Sequence, residues 1–186
     1  MHSEHGWPVV ELDDFYRDGR DPTLPMSSLG LPDWDDPSSW DDGAALHALL
    51  RLRQDRQFDV PVYDIGRSRA TGARTIRAGE APVVVAEGIF AGQLIGPLVE
   101  QGALARAWCI RDDPRLTFAK RLARDLRQRR KPPKTLWRRG HQLRRAEPGI
   151  VTAQERLGAT SMTGRQARRH AAQLADEGTP GRKTTA

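Results

Sequence analysis

An α/β fold of one domain is predicted for residues 1–175, and three observations carry it. The length of 186 residues suits a single core at ~100–200 residues per domain. Short apolar runs of strand length alternate along the chain with longer segments of helical spacing. Residues 82–86, Pro-Val-Val-Val-Ala, form an unbroken apolar run without polar alternation, the pattern of a parallel strand buried on both faces.

The elements follow in order. Val9, Val10 and Leu12 read as a strand that delivers Asp13 and Asp14 at its carboxyl end. Residues 16–40 make a long Pro- and Asp-rich excursion with Trp34 and Trp40, and loops of that length inside a compact domain are usually functional. Asp41 caps a helix whose apolar positions Ala45, Leu46, Leu49, Leu50 and Leu52 mostly keep helical spacing, ending near Arg56. A second loop is expected over 61–69 and a short strand over 75–79. The apolar strand 82–86 ends at Glu87 and Gly88. A helix over 93–101, a strand over 105–110 and a long helix over 114–130 come next. Pro132 and Pro133 stop that helix, and 136–145 reads as a short, strongly basic helix inside a lid of about 129–150. Thr163 caps a last helix over 164–174, and the polar tail 176–186 is expected to be disordered.

Composition narrows the function classes. No stretch approaches the ~20 apolar residues of a membrane-spanning helix, and no export signal is visible behind Met1. The lone Cys109 allows neither an internal disulfide nor a cysteine-rich metal site; it suits a buried strand position and a reducing cytoplasm. Of the 30 basic residues only Lys120, Lys131, Lys134 and Lys183 are lysine. Residues 1–64 hold 14 acidic against 5 basic side chains, a net of −9, so the remainder carries +15 to reach the overall +6. An acidic half beside an arginine-rich half suits carboxylates that hold a metal or activate a hydroxyl while arginines receive a polyanion. A nucleic-acid backbone is the competing polyanion, and a plain solvated face the simplest reading of the charge.

Five segments bear chemistry. Asp13-Asp14-Phe15-Tyr16 follows a strand, where a carboxylate can take a proton from a hydroxyl and touch Mg²⁺, or merely punctuate the strand end. Residues 32–41 join prolines, Trp34, Trp40 and several acids, as a pocket for a ring and a sugar diol needs, unless the loop tucks its tryptophans into the core. Pro61-Val62-Tyr63-Asp64 adds an aromatic ahead of Arg67 and Arg69. Glu87 stands where an apolar strand ends, either as a metal-binding carboxylate or as a capping acid. Arg121, Arg124, Arg127, Arg129 and Arg130 cluster around Asp125; Arg121 and Arg124 share a helix face at i, i+3, suited to a triphosphate or to water.

In content and order these segments resemble the uridine kinase family of P-loop nucleoside kinases, within the nucleoside triphosphate hydrolase superfamily, from Val9 to about Lys131. The resemblance runs through Leu12-Asp13-Asp14-Phe15-Tyr16-Arg17-Asp18, Trp34-Asp35-Asp36-Pro37, Pro61-Val62-Tyr63-Asp64, Glu87-Gly88-Ile89 and Arg121-Leu122-Ala123-Arg124-Asp125. It implies a three-layer kinase-like fold with a parallel sheet and transfer of a phosphoryl group from ATP, with Mg²⁺, to a nucleoside or similar small hydroxyl compound. By resemblance Asp13 is the general base on the nucleoside 5′-hydroxyl and a metal contact, and Glu87 supports Mg²⁺. Asp35 holds the ribose hydroxyls; Tyr16, Trp34 and Tyr63 line the nucleoside pocket; Arg121 contacts the acceptor; Arg124, Arg129 and Lys131 approach the phosphates from the lid. Where the family often has a histidine that contacts the base, Arg67 holds the nearest position. The sequence contains no Gly-x-x-x-x-Gly-Lys-Ser/Thr loop, with its strand and helix, ahead of the strand ending at Asp13. The chain is therefore expected to be a kinase piece, inactive as given, and missing a strand central to its sheet. Its expected partners are a nucleoside-like molecule and ATP, with no membrane, self-association left open, and no nucleic acid. The rival expectation is a non-enzymatic protein whose arginines, 111 to 145, grip nucleic-acid phosphates.

Overall fold

The computed structural model describes residues 5–28, 30–111, 149 and 151–177. They form a mixed α/β structure with two-stranded parallel and antiparallel sheets. The chain divides into two compact units, Met1–Ala105 with Gln173–Ala186, and Arg106–Ala172.

In the first unit β1 (Val9–Glu11) leads straight into a 3-10 turn, Leu12–Phe15. The residues that follow bend back so that Tyr16 bridges Trp40 in antiparallel fashion. The 16–40 excursion is irregular, closed by a second 3-10 turn at Pro37–Ser39 whose Asp36 side chain accepts from the Ser38 amide. Asp41 caps α1 (Asp42–Asp55) as expected, accepting from the Ala44 amide at 2.8 Å. Ala45, Ala48 and Leu52, spaced i, i+3 and i+7, bury one face of α1. At its other end Arg56 takes a left-handed conformation, φ 61°, and its guanidinium donates to the Gly79 and Ala81 carbonyls, tying the helix to the turn before β4.

The loop expected over 61–69 is instead an antiparallel hairpin, β2 (Gln57–Asp64) and β3 (Arg69–Arg77), with only 65–68 as its turn. Pro61 lies inside β2. Tyr63, two residues on, donates its N–H to Asp14 Oδ1, and the ladder shifts register between Val62 and Tyr63; a strand tolerates proline at an edge or beside a bulge, where no ladder donor is lost. The strand expected over 75–79 is the end of β3. The run 82–86 is also corrected: β4 covers only Val85–Glu87, is half-buried, and pairs in parallel with β1 alone, Val10 opposite Ala86 and Glu11 opposite Glu87. A β-branched run signals burial on both faces only where sheet and helices cover both, and here β4 belongs to a pair. A 3-10 turn, Ala91–Leu94, then opens into the short α2 (Ile95–Glu100) in place of one helix over 93–101. Val10, Leu12, Phe15, Trp40, Ala45, Ala48, Leu52, Val60, Ile76, Phe90 and Leu94 form this unit's core.

In the second unit β5 (Trp108–Ile110) pairs in parallel with β6 (Thr160–Met162), shorter than the expected 105–110 and with a partner strand the sequence reading missed. Cys109 is a strand residue but half-buried, not buried. Residues 151–156 are helical. Thr163 and Gln166 form a reciprocal capping box before α3 (Gly164–Glu177), of which residues from Gln173 on belong to the first unit: the Thr163 amide donates to Gln166 Oε1 at 2.9 Å and the Gln166 amide to Thr163 Oγ1 at 3.3 Å. The helix therefore takes in 176 and 177 of the expected tail. The helices expected over 114–130 and 136–145 lie outside the described residues, as do 178–186 and, apart from Gly149, the 129–150 lid. Among the described residues no helix is long and apolar enough to cross a membrane.

Candidate functional site

Four segments of the first unit converge on Tyr16: the turn after β1, the Asp-rich excursion, the hairpin and the Glu87–Phe90 turn. The Tyr16 ring lies 5.7 Å from Trp34, 5.9 Å from Tyr63 and 6.0 Å from Phe90, centroid to centroid, with the Trp34 and Phe90 contacts edge-to-face. Trp34 and Tyr63 are themselves 6.5 Å apart. Distances and tilts of this kind suit the ring quadrupole. Tyr16, Trp34 and Tyr63 are each half-buried, whereas Phe90 is buried and continues to Trp40 at 5.9 Å. The three aromatics singled out from sequence are thus together. Trp40 is not with them: it is buried in the core and donates its indole N–H to the Leu12 carbonyl at 2.6 Å. The excursion tucks one tryptophan in and leaves the other partly open.

The hydroxyls of both tyrosines are used. Tyr16 donates to the Trp34 carbonyl at 3.2 Å and Tyr63 to the Arg17 carbonyl at 3.0 Å. Burial pushes the Tyr16 phenol up to about 12, with the negative charges of Asp13 and Asp35 adding to the shift. Burial, then the Asp18 charge, also raises Tyr63. Tyr16 therefore feels both of the carboxylates that sequence reasoning assigned to the acceptor.

Asp13 and Asp14 are neighbours with different surroundings. Asp14 is buried and acts structurally: Oδ1 accepts from the Tyr63 amide at 3.0 Å and Oδ2 from Arg74 at 3.0 Å. Arg74 also reaches Glu11 at 3.6 Å. Asp13 is exposed, although one edge of its carboxyl lies against the turn after β4. A Cβ added at Gly88 would stand 2.8 Å from Leu12 Cβ and 3.2 Å from Asp13 Oδ1, so only glycine lets that turn approach so closely. The partial loss of water raises the Asp13 carboxyl above its usual range; the Ile89 amide, which donates to it, pulls the other way, and the charges of Asp14 and Glu11 add to the rise. Glu87 is exposed at the end of β4, opposite Glu11 across the parallel pair. Asp35 is exposed, its amide donating to Asp33 Oδ1 at 3.1 Å. Among the described residues no three His, Cys, Asp or Glu side chains group as a metal site.

Arg67, at the position of the family's histidine, pairs with Asp64 at 3.6 Å on the hairpin turn. That turn is anchored by Gly19, whose amide donates to the Ser68 carbonyl at 2.6 Å. A Cβ on Gly19 would meet Ser68 Cβ at 2.7 Å. Arg121, Arg124, Arg129 and Lys131 lie outside the described residues. Sequence reasoning missed Phe90 and the Asp14–Arg74 pair, and it quoted Gly88 within the Glu87-Gly88-Ile89 motif without giving it a role. Phe90 stood beside the Glu87 motif and was legible as its neighbour; Arg74 had no local signal, since its partner is sixty residues away.

No protein-family model matches the chain. Over 68 residues, 36% of the chain, it is 34% identical to inorganic pyrophosphatase TTM2 of Arabidopsis thaliana. The chain spans 10% of that protein's length.

Proposed function

We propose that this chain carries the acceptor side of an ATP- and Mg²⁺-dependent phosphotransferase of uridine kinase type, acting on a nucleoside or a similar small hydroxyl compound. The finer fold, a three-layer kinase with a parallel sheet, belongs to the same proposal. The observation that carries it is Asp13: a carboxylate at a strand end, partly desolvated against Gly88, within electrostatic range of a tyrosine that packs with Trp34 and Tyr63. A base works best with its proton affinity raised toward the operating pH, and partial burial supplies that here. Half-buried rings offer stacking area to a base, and Asp35 offers an exposed carboxylate to a diol.

The donor set fits Mg²⁺. Asp13 and Glu87 are hard oxygen donors near the carboxyl ends of paired parallel strands, and Mg²⁺ commonly takes one or two protein carboxylates while phosphate oxygens and water complete its shell. Bound there, the cation would offset charge on the transferred phosphoryl oxygens. The protein's own part is to orient the acceptor between rings and carboxylates and to accept the hydroxyl proton on Asp13. Tyr16, with its proton held to about 12, stays neutral throughout the physiological range and adds no charge to the pocket. The relative's name fits phosphate chemistry in general, because pyrophosphate and ATP share the phosphoanhydride bond; it does not bear on the acceptor.

Calorimetric titration of the chain with nucleosides tests the proposal. Binding is expected, weakened at least tenfold by Asp35→Ala and nearly unchanged by Asp13→Asn, since a ribose anchor acts in the ground state and a base in the transition state. A folded chain that binds no nucleoside at millimolar concentration refutes it.

A further inference from the structure

We infer that, on the nucleoside reading above, Arg74 fixes through Asp14 where the Tyr63 ring stands in the acceptor site, and so sets how tightly that site holds a nucleoside. The hairpin is irregular beside Tyr63. Val62 stands opposite Gly72 but Tyr63 opposite Ala70, so the ladder shifts by one residue and Thr71 has no residue facing it. A bulge of this kind breaks the ladder locally and re-aims the neighbouring side chain. Here the Tyr63 N–H goes to Asp14 Oδ1 at 3.0 Å. The main chain of Tyr63 is therefore held by a carboxylate that belongs to the turn after β1.

Arg74 in turn holds that carboxylate. Its Nη2 donates to Asp14 Oδ2 at 3.0 Å and reaches Glu11, the last residue of β1, at 3.6 Å. Asp14 is buried, and its two oxygens accept one bond each from the two strands of the hairpin, Tyr63 on β2 and Arg74 on β3. A charge-assisted bond to one oxygen of a planar carboxylate orients the other toward the amide. The far end of Tyr63 is its hydroxyl, which donates to the Arg17 carbonyl at 3.0 Å. Between these two anchors stands the ring, 5.9 Å from Tyr16 and 6.5 Å from Trp34. Without Arg74 the carboxylate is free to turn from the amide, and the ring keeps only its hydroxyl anchor. Binding constellations need their groups held to about 0.5 Å by bonded neighbours, so a looser ring weakens the site. Arg74 is a positioning residue that acts on Tyr63 through Asp14.

The chain carries its own probe of the cluster: it has two tyrosines, Tyr16 and Tyr63, and both are in it. NMR of the full chain with ring-¹³C tyrosine, assigned with Tyr16→Phe, follows Tyr63 without ligand, and calorimetry with uridine, cytidine, adenosine and guanosine gives affinities. Arg74→Met removes the donor and keeps an apolar stem. Arg77→Met makes the same change of charge three residues along β3, at an exposed position opposite Gln57. In folded Arg74→Met the Tyr63 resonance should move and each nucleoside that the parent binds should bind about tenfold more weakly, with Arg74→Lys about threefold weaker because one ammonium replaces the guanidinium fork. Arg77→Met should leave the resonance in place and affinity within about twofold of the parent, as befits an exposed charge. If Arg74→Met does not fold, Arg74→Lys carries both readouts. A Tyr63 resonance that stays in place, an affinity that Arg74→Met leaves unchanged, or an equal loss in Arg77→Met overturns the inference and leaves the nucleoside reading standing. A parent chain that binds none of the four at millimolar concentration refutes that reading, and the inference falls with it.

Discussion

Asp13 and Asp14 are adjacent in sequence and should respond to substitution in opposite directions. The Asp14 side chain is 11% exposed and bonds both the Tyr63 amide and Arg74, whose own side chain is 39% exposed. Asp14→Ala leaves the amide without its acceptor and Arg74 with only the longer contact to Glu11. Breaking a buried pair by removing one partner costs about 3–5 kcal/mol, and the partly exposed Arg74 recovers some water, so about 2–4 kcal/mol is expected. For a chain of this size that is roughly a 4–16 °C fall in melting temperature. Asp14→Asn keeps an acceptor for the amide and should lose about half as much. Asp13 has the reverse sign. Its carboxyl is raised in the folded state, so its contribution favours folding while protonated, fully so below the unfolded pKa near 3.8, and is lost as pH rises through the folded value. Asp13→Asn should therefore stabilise the chain at pH 7 and give no gain at pH 3. Urea denaturation followed by tryptophan fluorescence at both pH values measures all three variants. If Asp14→Ala lies within 0.5 kcal/mol of the parent, or Asp13→Asn is destabilising at pH 7, the division of labour between the two carboxylates is wrong.

With both tyrosines raised, and Tyr16 to about 12, absorbance at 295 nm should show little phenolate at pH 10 in the folded chain; the raised folded values mean stability is intact below pH 10 and falls between 10 and 12, a slope that Tyr16→Phe should reduce in alkaline melts. Gly19→Ala forces a Cβ to 2.7 Å from Ser68 Cβ and should cost about 1–3 kcal/mol by thermal melt, whereas alanine at Gly72, where the added Cβ meets nothing within 4 Å, should be nearly silent. Asp41→Ala removes the α1 cap and should cost about 1 kcal/mol. The chain as given should show no phosphorylation of uridine from labelled ATP, because its sequence supplies no glycine-rich loop to place the donor phosphates; turnover abolished by Asp13→Ala would mean another segment does so.

Local signals were legible and tertiary ones were not. The Asp41 cap and the Thr163 cap are written in a few consecutive residues, and both helices begin where those residues say. The strand before Asp13 and the aromatic trio were visible because each lies in a compact motif. The hairpin was hidden by Pro61, whose tolerance depends on which side of the strand faces its partner, a fact of register and not of composition. The shortness of β4 was hidden for a related reason: Val83, Val84 and Val85 read alike, and pairing with β1 decides which of them is strand. The split between Asp13 and Asp14 depends on Arg74 and Gly88, distant in sequence, so the pair looked symmetric.

That asymmetry is the strongest physical sign that the turn after β1 is a site and not punctuation. A strand end needing only a polar stop could leave both carboxylates in water. Here one is buried and bonded by two donors, fixing the hairpin against the turn. The other is held against a glycine-only contact, beside two more acids, at a proton affinity above its ordinary value. Folding alone does not favour that second arrangement, since replacing the charge is expected to stabilise the chain at neutral pH. Sequences keep such locally unfavourable groups where the unfavourable state does something, which is what the base role proposed for Asp13 would require. Asp14 and the two tyrosine hydroxyls tie the hairpin and the excursion to the turn that carries Asp13.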